Sequence, residues 1–150
     1  MEEEHVTKAI INWLIKAGWK IVCYDFPQSG TGRLLHPNST TKEKNKGAIN
    51  PDIVATRNDT CVFFENKDRF YYPDYQKVNI LITGNDYSEA IHELLKNYPV
   101  DKIFYGIGLL VFEYSQKAKE AENLVDFVVG VDENKSVKVL YCKDGINPFL

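Results

Sequence analysis

A chain of 150 residues, 44% hydrophobic and 26% charged, can bury one substantial core and is too short for two ordinary domains. Its net charge of −3 gives no support to a bulk electrostatic grip on nucleic acid, so any such grip has to be local. No apolar run approaches bilayer-spanning length, and the acidic opening Met1-Glu2-Glu3-Glu4 is the reverse of a secretory signal's basic front, which predicts a cytoplasmic protein.

The first predicted element is a helix. Val6, Ile10, Trp13, Leu14 and Ala17 share one helical face, and Gly18 stands where the helix would stop. Residues 19–26 (WKIVCYDF) read as a strand, being rich in β-branched and aromatic side chains. Residues 27–50 form a long polar loop, Gly-rich at Ser29-Gly30-Thr31-Gly32 and charged between Lys42 and Lys46. Loops of this length in a small domain are usually functional or disordered.

Two apolar strands follow at 52–57 and 61–67, with Asn58-Asp59-Thr60 turning the chain between them. Pro73-Asp74 marks a helix start, and helices are predicted over 74–81 and 87–97. Residues 102–112 (KIFYGIGLLVF) make a mostly apolar strand, expected to be buried. A short helix at 115–123 precedes strands at 125–132 and 136–142, and the turn at Asp132-Glu133-Asn134-Lys135 makes them a hairpin. The order describes one mixed α/β domain over 1–150. Cys23, Cys61 and Cys142 lie singly in apolar stretches and read as reduced thiols, not zinc ligands or a disulfide framework. The three histidines are equally dispersed.

The chemistry gathers on the strand pair. Strand side chains alternate between faces, so Glu65 and Lys67 point the same way as Phe63, while Val62, Phe64 and Asn66 face the other side. A hairpin brings Asp52 opposite Glu65 and Lys67. Oxygen ligands suit Mg²⁺ or Mn²⁺, and a site with few carboxylates leaves positions for water and a phosphate. A bound metal lowers the pKa of that water and neutralises charge growing at phosphorus. A neighbouring lysine can hold the water or stabilise the added charge. Asp before a strand and Glu-x-Lys along a solvated strand are common on surfaces. Here the flanking Ile53-Val54-Ala55 and Cys61-Val62-Phe63-Phe64 are apolar enough for interior strands, where an unpaired acid is costly.

Pro51-Asp52 followed by Glu65-Asn66-Lys67 resembles the signature of the PD-(D/E)XK nucleases. Gly18-Trp19-Lys20-Ile21-Val22, then residues 27–33, then Pro51-Asp52-Ile53-Val54-Ala55, are similar in order to archaeal Holliday junction resolvases; type II restriction endonucleases share the same core. The resemblance runs from the first helix to about Lys77. Beyond it the chain resembles neither group, and the loop between Arg33 and Asn50 is longer than in a resolvase.

The resemblance implies a restriction-endonuclease-like fold, a mixed central sheet flanked by helices, and a Mg²⁺-dependent endodeoxyribonuclease for which Mn²⁺ would substitute. Asp52 and Glu65 would hold the metal with the main-chain carbonyl of Asn66, and Lys67 would position water or steady the transition state. The products would carry 5′-phosphate and 3′-hydroxyl ends. A restriction-type enzyme acting on duplex DNA is the first expectation. A structure-specific nuclease for branched DNA, a non-cleaving nucleic-acid-binding module and an RNA-directed nuclease stay open. Cutting two strands needs two active sites, hence a homodimer, for which the apolar 102–112 strand and the helices beside it could supply an interface.

A further acid on the first helix is also implied. Helical phase favours Glu3, which lies on the stripe with Val6 and Ile10, over Glu4, which points about a third of a turn away; the alternative is that Glu2 to Glu4 only complement the helix dipole. Ser29 and Arg33 could grip a phosphate, although no Gly-Lys-Ser/Thr follows to complete a Walker loop. Lys42, Lys44, Lys46 and Arg69 would add salt-sensitive backbone contacts, and Gln76 could reach the attacking water or a phosphate. Tyr71 and Tyr72 could pack on sugar or base, though aromatics more often pack on protein.

Overall fold

The computed structural model describes residues 3–26, 30–38 and 47–150. Among them, strands β1 (Lys20–Tyr24), β2 (Ile53–Arg57), β3 (Thr60–Lys67), β4 (Lys102–Leu110), β5 (Phe127–Val131) and β6 (Val137–Cys142) form one sheet in chain order. β1, β2 and β3 are successively antiparallel, β3, β4 and β5 are parallel, and β6 returns antiparallel to β5. Connection length explains these senses. Asn58, at φ 56°, reverses the chain between β2 and β3, whereas a parallel neighbour needs a crossover. Helices α2 (Tyr72–Thr83) and α3 (Ser88–Leu95) cross between β3 and β4, and α4 (Gln116–Ala121) between β4 and β5.

Both faces of the sheet are covered. Helix α1 (Glu3–Lys16) lays Val6, Ile10 and Leu14 against Ile53, Ala55, Val62, Phe64 and Phe127 on one face. On the other, Tyr75 and Val78 of α2, Leu95 of α3 and Ala121 of α4 pack with Val54, Cys61, Phe63, Ile107 and Val128. Consecutive strand residues therefore feed opposite layers, which is why the inner strands read as unbroken apolar runs. No helix among the described residues is long and apolar enough to cross a membrane.

Local signals set most of the ends. Gly18, at φ 88°, takes the left-handed position that closes α1, with the Trp19 N–H donating to the Leu14 carbonyl at 3.0 Å. The Ser115 hydroxyl caps α4 by accepting the Ala118 N–H at 3.3 Å. Asp132 Oδ1 accepts the N–H groups of Asn134 and Ser136, both at 2.9 Å, and so shapes the β5–β6 turn. The 102–112 segment differs from expectation. β4 stops at Leu110, is paired on both edges, and is buried from Tyr105 to Leu110, so this strand itself belongs to the core.

Gly108 of β4 sits beside Asn66 of β3. A methyl group there would overlap Asn66 Oδ1 and Ile10 Cδ1, so the missing side chain is what lets α1 lie close to the sheet at this point. Gly108→Ala is expected to cost about 1–3 kcal/mol through overpacking, read as a lower urea midpoint at unchanged slope.

Candidate active site

The β2–β3 register pairs Val54 with Phe63 and Ile53 with Phe64; one residue further, Asp52 stands opposite Glu65. Asp52 donates its N–H to the Phe64 carbonyl at 3.0 Å, and its Oδ2 accepts the Asn66 N–H at 2.7 Å. The Asp52 side chain is thereby fixed across the ends of both strands, only 9% exposed. Glu65 points towards α2, where Lys77 Nζ donates to its Oε1 at 3.3 Å. Lys67 closes β3 and reaches round the strand end, with Nζ 4.0 Å from Glu3 Oε1 and 6.0 Å from the centre of the Tyr71 ring. Asp74, in the first turn of α2, is buried with Oδ2 lacking a hydrogen-bond partner among the described residues.

This grouping perturbs every acid in it. Burial pushes the Asp52 carboxyl up to about 8, and the Glu65 carboxylate adds to the rise against the opposing Asn66 N–H. Glu65 is also raised, by burial first, despite Lys77. Burial likewise raises Asp74 and Glu3. Lys67 moves in the sense that favours its charge: burial opposes protonation, but Asp74, Glu3, Glu65 and Asp52 outweigh it. Full ionisation would concentrate negative charge where water solvates it poorly, so these carboxyls hold their protons more tightly than usual, and a bound cation would take the protons' place.

The donor chemistry fits a hard divalent cation. Asp52 and Glu65 offer oxygen only, which suits Mg²⁺ or Mn²⁺ and not the sulfur- and nitrogen-rich sites of zinc. Among the described residues no three His, Cys, Asp or Glu side chains form a ready-made coordination shell. Mg²⁺ commonly takes one or two carboxylates plus water and substrate phosphate.

The remaining candidates are spread more widely. The Asn66 side chain turns to the α1 layer, donating Nδ2–H to Thr7 Oγ1 at 3.1 Å, so only its main chain is available at the strand ends. Glu4 pairs with Lys8 at 3.3 Å, leaving Glu3 as the helix acid beside Lys67. Arg69 is exposed, 3.4 Å from Asp68, and acts electrostatically on both Glu3 and Asp74. Arg33 is exposed on the approach to the isolated bridge between Leu35 and Ile49, and its charge is felt at Cys23. Gln76 is exposed on α2. Ser29, Lys42, Lys44 and Lys46 lie outside the described residues.

Sequence reasoning missed Asp74 and Lys77. Pro73-Asp74 reads as a helix start and a lysine in a helix reads as solvated. The available signal was their i, i+3 spacing, which keeps them on one side of α2 next to the core residue Val78. A cavity of about 400 Å³ lies elsewhere, between α2, α3 and the start of β4, lined by Leu81, Tyr87, Ile91, Leu95, Tyr98 and Tyr105 among others. No member of the acid cluster lines it, so the chemistry is assigned from the carboxylates and not from the void.

Compared with models of known protein families and with curated proteins, the chain matches none.

Proposed function

We propose that this chain is a Mg²⁺-dependent endodeoxyribonuclease that hydrolyses DNA phosphodiester bonds on a restriction-endonuclease-like fold. The observation that carries the reading is the pair of buried Asp52 and largely covered Glu65, opposite one another at the ends of β2 and β3, with Lys67 closing β3 beside them. A mixed sheet with helices on both faces is the architecture that the Pro51-Asp52…Glu65-Asn66-Lys67 resemblance implied.

In this reading Asp52, Glu65 and the main-chain carbonyl of Asn66 would hold the cation, which when bound would acidify a water and neutralise charge developing at phosphorus. The Asn66 N–H orients Asp52, and Lys77 orients Glu65. Lys67 is held protonated by its acidic neighbours, so at neutral pH it is not a general base. Its role is to donate to the phosphate or to the attacking water and to stabilise negative charge as it grows. Glu3, 4.0 Å from Lys67 Nζ, is the carboxylate that would hold a second ion. Cutting both strands requires a second copy of the site, which a homodimer supplies.

The test is cleavage of supercoiled plasmid and of a four-way DNA junction with Mg²⁺, wild type beside Glu65→Ala. Wild type is expected to cut, EDTA to stop it, and the variant to be slower on the order of 10³-fold. Discrete plasmid fragments mark a restriction-type enzyme, and symmetric nicking of the junction marks a structure-specific one. Equal rates from the two proteins would remove the site assignment.

A further inference from the structure

We propose that Tyr71, Tyr72 and Phe112 form a stacking rim for unpaired nucleotides next to the scissile phosphate, so that the favoured substrate is DNA with a single-stranded or splayed segment. This rests on the nuclease reading of the acid pair. The large hydrophobic side chains left exposed among the described residues include three aromatics, Tyr71 at 50%, Tyr72 at 46% and Phe112 at 59%, and all three belong to the segments that leave the same end of two neighbouring strands. β3 and β4 run parallel, with Lys67 beside Leu109. Just beyond these positions the chain turns through residues 68–71 on one strand and 111–113 on the other. The Phe70 N–H donates to Glu113 Oε1 at 3.3 Å, which ties the two turns together.

The contrast with the neighbouring rings is informative. Phe70 folds inward against Tyr75, with ring centres 5.2 Å apart, and Phe63, Phe64 and Phe127 are buried. Tyr71 and Tyr72 directly follow Phe70 and face water instead. Scattered exposed hydrophobics need no explanation, but three exposed aromatics on two turns tied together at the same end of β3 and β4 do. Lys67 Nζ lies over the Tyr71 ring, 6.0 Å from its centre, so this ring adjoins the cation that would meet the phosphate. Arg69, between them in sequence, has a side chain 71% exposed, so two cations precede the two exposed rings along this turn. That combination is the chemistry of single-strand binding: cations follow the backbone, and rings take base faces of any sequence. An intact duplex keeps those faces in its own stack and offers the rim nothing.

The experiment compares a labelled single strand, a blunt duplex of the same sequence, and a duplex carrying a single-stranded flap, each with Mg²⁺. In parallel, 2-aminopurine fluorescence in the single strand reports stacking on the metal-free protein. Single strand and flap are expected to be cut at least tenfold faster than the blunt duplex. Tyr71→Ala and Phe112→Ala should each raise the KM for single strand about tenfold and abolish the change in fluorescence, while Tyr71→Phe restores both. Faster cutting of the blunt duplex, or alanine variants with wild-type KM and fluorescence, overturns the rim. If wild type cuts nothing, the nuclease reading fails, and the fluorescence still decides the rim: a response in wild type that the alanine variants lose supports it, and no response rejects it.

Discussion

Asp52→Asn is expected to abolish Mg²⁺-dependent cleavage and, in metal-free protein at pH 8, to raise stability. The first effect follows from losing an anionic ligand. The second follows from linkage. The folded state lifts the Asp52 carboxyl from the ordinary aspartate range to about 8, through burial and then through Glu65. Between those two values the folded chain binds more protons than the unfolded one, so stability falls as pH rises. The contribution is fully present below the ordinary carboxylate range and lost as pH climbs through about 8. Glu3, Glu65, Asp74 and Asp126 shift in the same direction, so the sign for the metal-free protein is not in balance; Glu93, which moves down, is a surface group.

Asparagine retains an oxygen to accept the Asn66 N–H and carries no charge to oppose Glu65. Each pKa unit corresponds to about 1.4 kcal/mol. After relaxation and water entry the gain from Asp52→Asn at pH 8 should be about 2–4 kcal/mol, shrinking towards zero near pH 4. Urea unfolding at several pH values in EDTA measures it. Adding Mg²⁺ should stabilise wild type by preferential binding to the folded state and leave the variant where it was. Parallel pH curves for the two proteins would mean that Asp52 is not the strained acid described here.

The parts of this molecule fixed by local pattern were legible in its sequence. Alternation along 61–67 separates Glu65 from Asn66, and the hairpin register brings Asp52 opposite Glu65. The phase of α1 selects Glu3 over Glu4 as the acid near Lys67. What depended on how elements pack was hidden. Pro73 lies inside the first turn of α2, which begins at Tyr72, because proline is tolerated where the N–H has no helical partner. The approach of α2 to β3, and not any motif, decides that Lys77 meets Glu65 and that Asp74 is buried beside them. β4 ends two residues early because residues 111–113 tighten into a 3₁₀ turn, with the Tyr114 N–H donating to the Val111 carbonyl at 3.2 Å. Val111-Phe112-Glu113 carries no turn residue that could announce it. The exposure of Tyr71, Tyr72 and Phe112 was equally invisible, since composition cannot distinguish a ring that packs on protein from one that faces water.

Lys67→Ala should lower cleavage about 10²- to 10³-fold at every Mg²⁺ concentration, whereas the loss in Lys77→Ala should be recovered as Mg²⁺ is raised. The two lysines stand on opposite sides of the acid cluster. Lys67 closes β3 and pairs at 4.0 Å with Glu3; in the proposed reaction it is the cation that meets the substrate phosphate, so its removal takes away stabilisation that exists only as charge develops. Added Mg²⁺ does not replace a donor at that position. Lys77 lies 3.3 Å from Glu65, whose side chain is 13% exposed. Without Lys77 the Glu65 carboxyl rises further, because burial then acts with less opposition, and at a given pH a smaller fraction is ionised to hold a cation. Mass action reverses that deficit, and raising pH reverses it too, so the acid limb of the Lys77→Ala pH–rate profile should move upward. Lys77→Ala should also cost the metal-free protein about 1 kcal/mol at neutral pH, a modest figure because the side chain is 40% exposed and its charge is screened by water. Initial rates across a Mg²⁺ series at two pH values separate the roles. Recovery of Lys67→Ala by Mg²⁺, with Lys77→Ala refractory, would exchange them and make Lys77 the group that meets the phosphate.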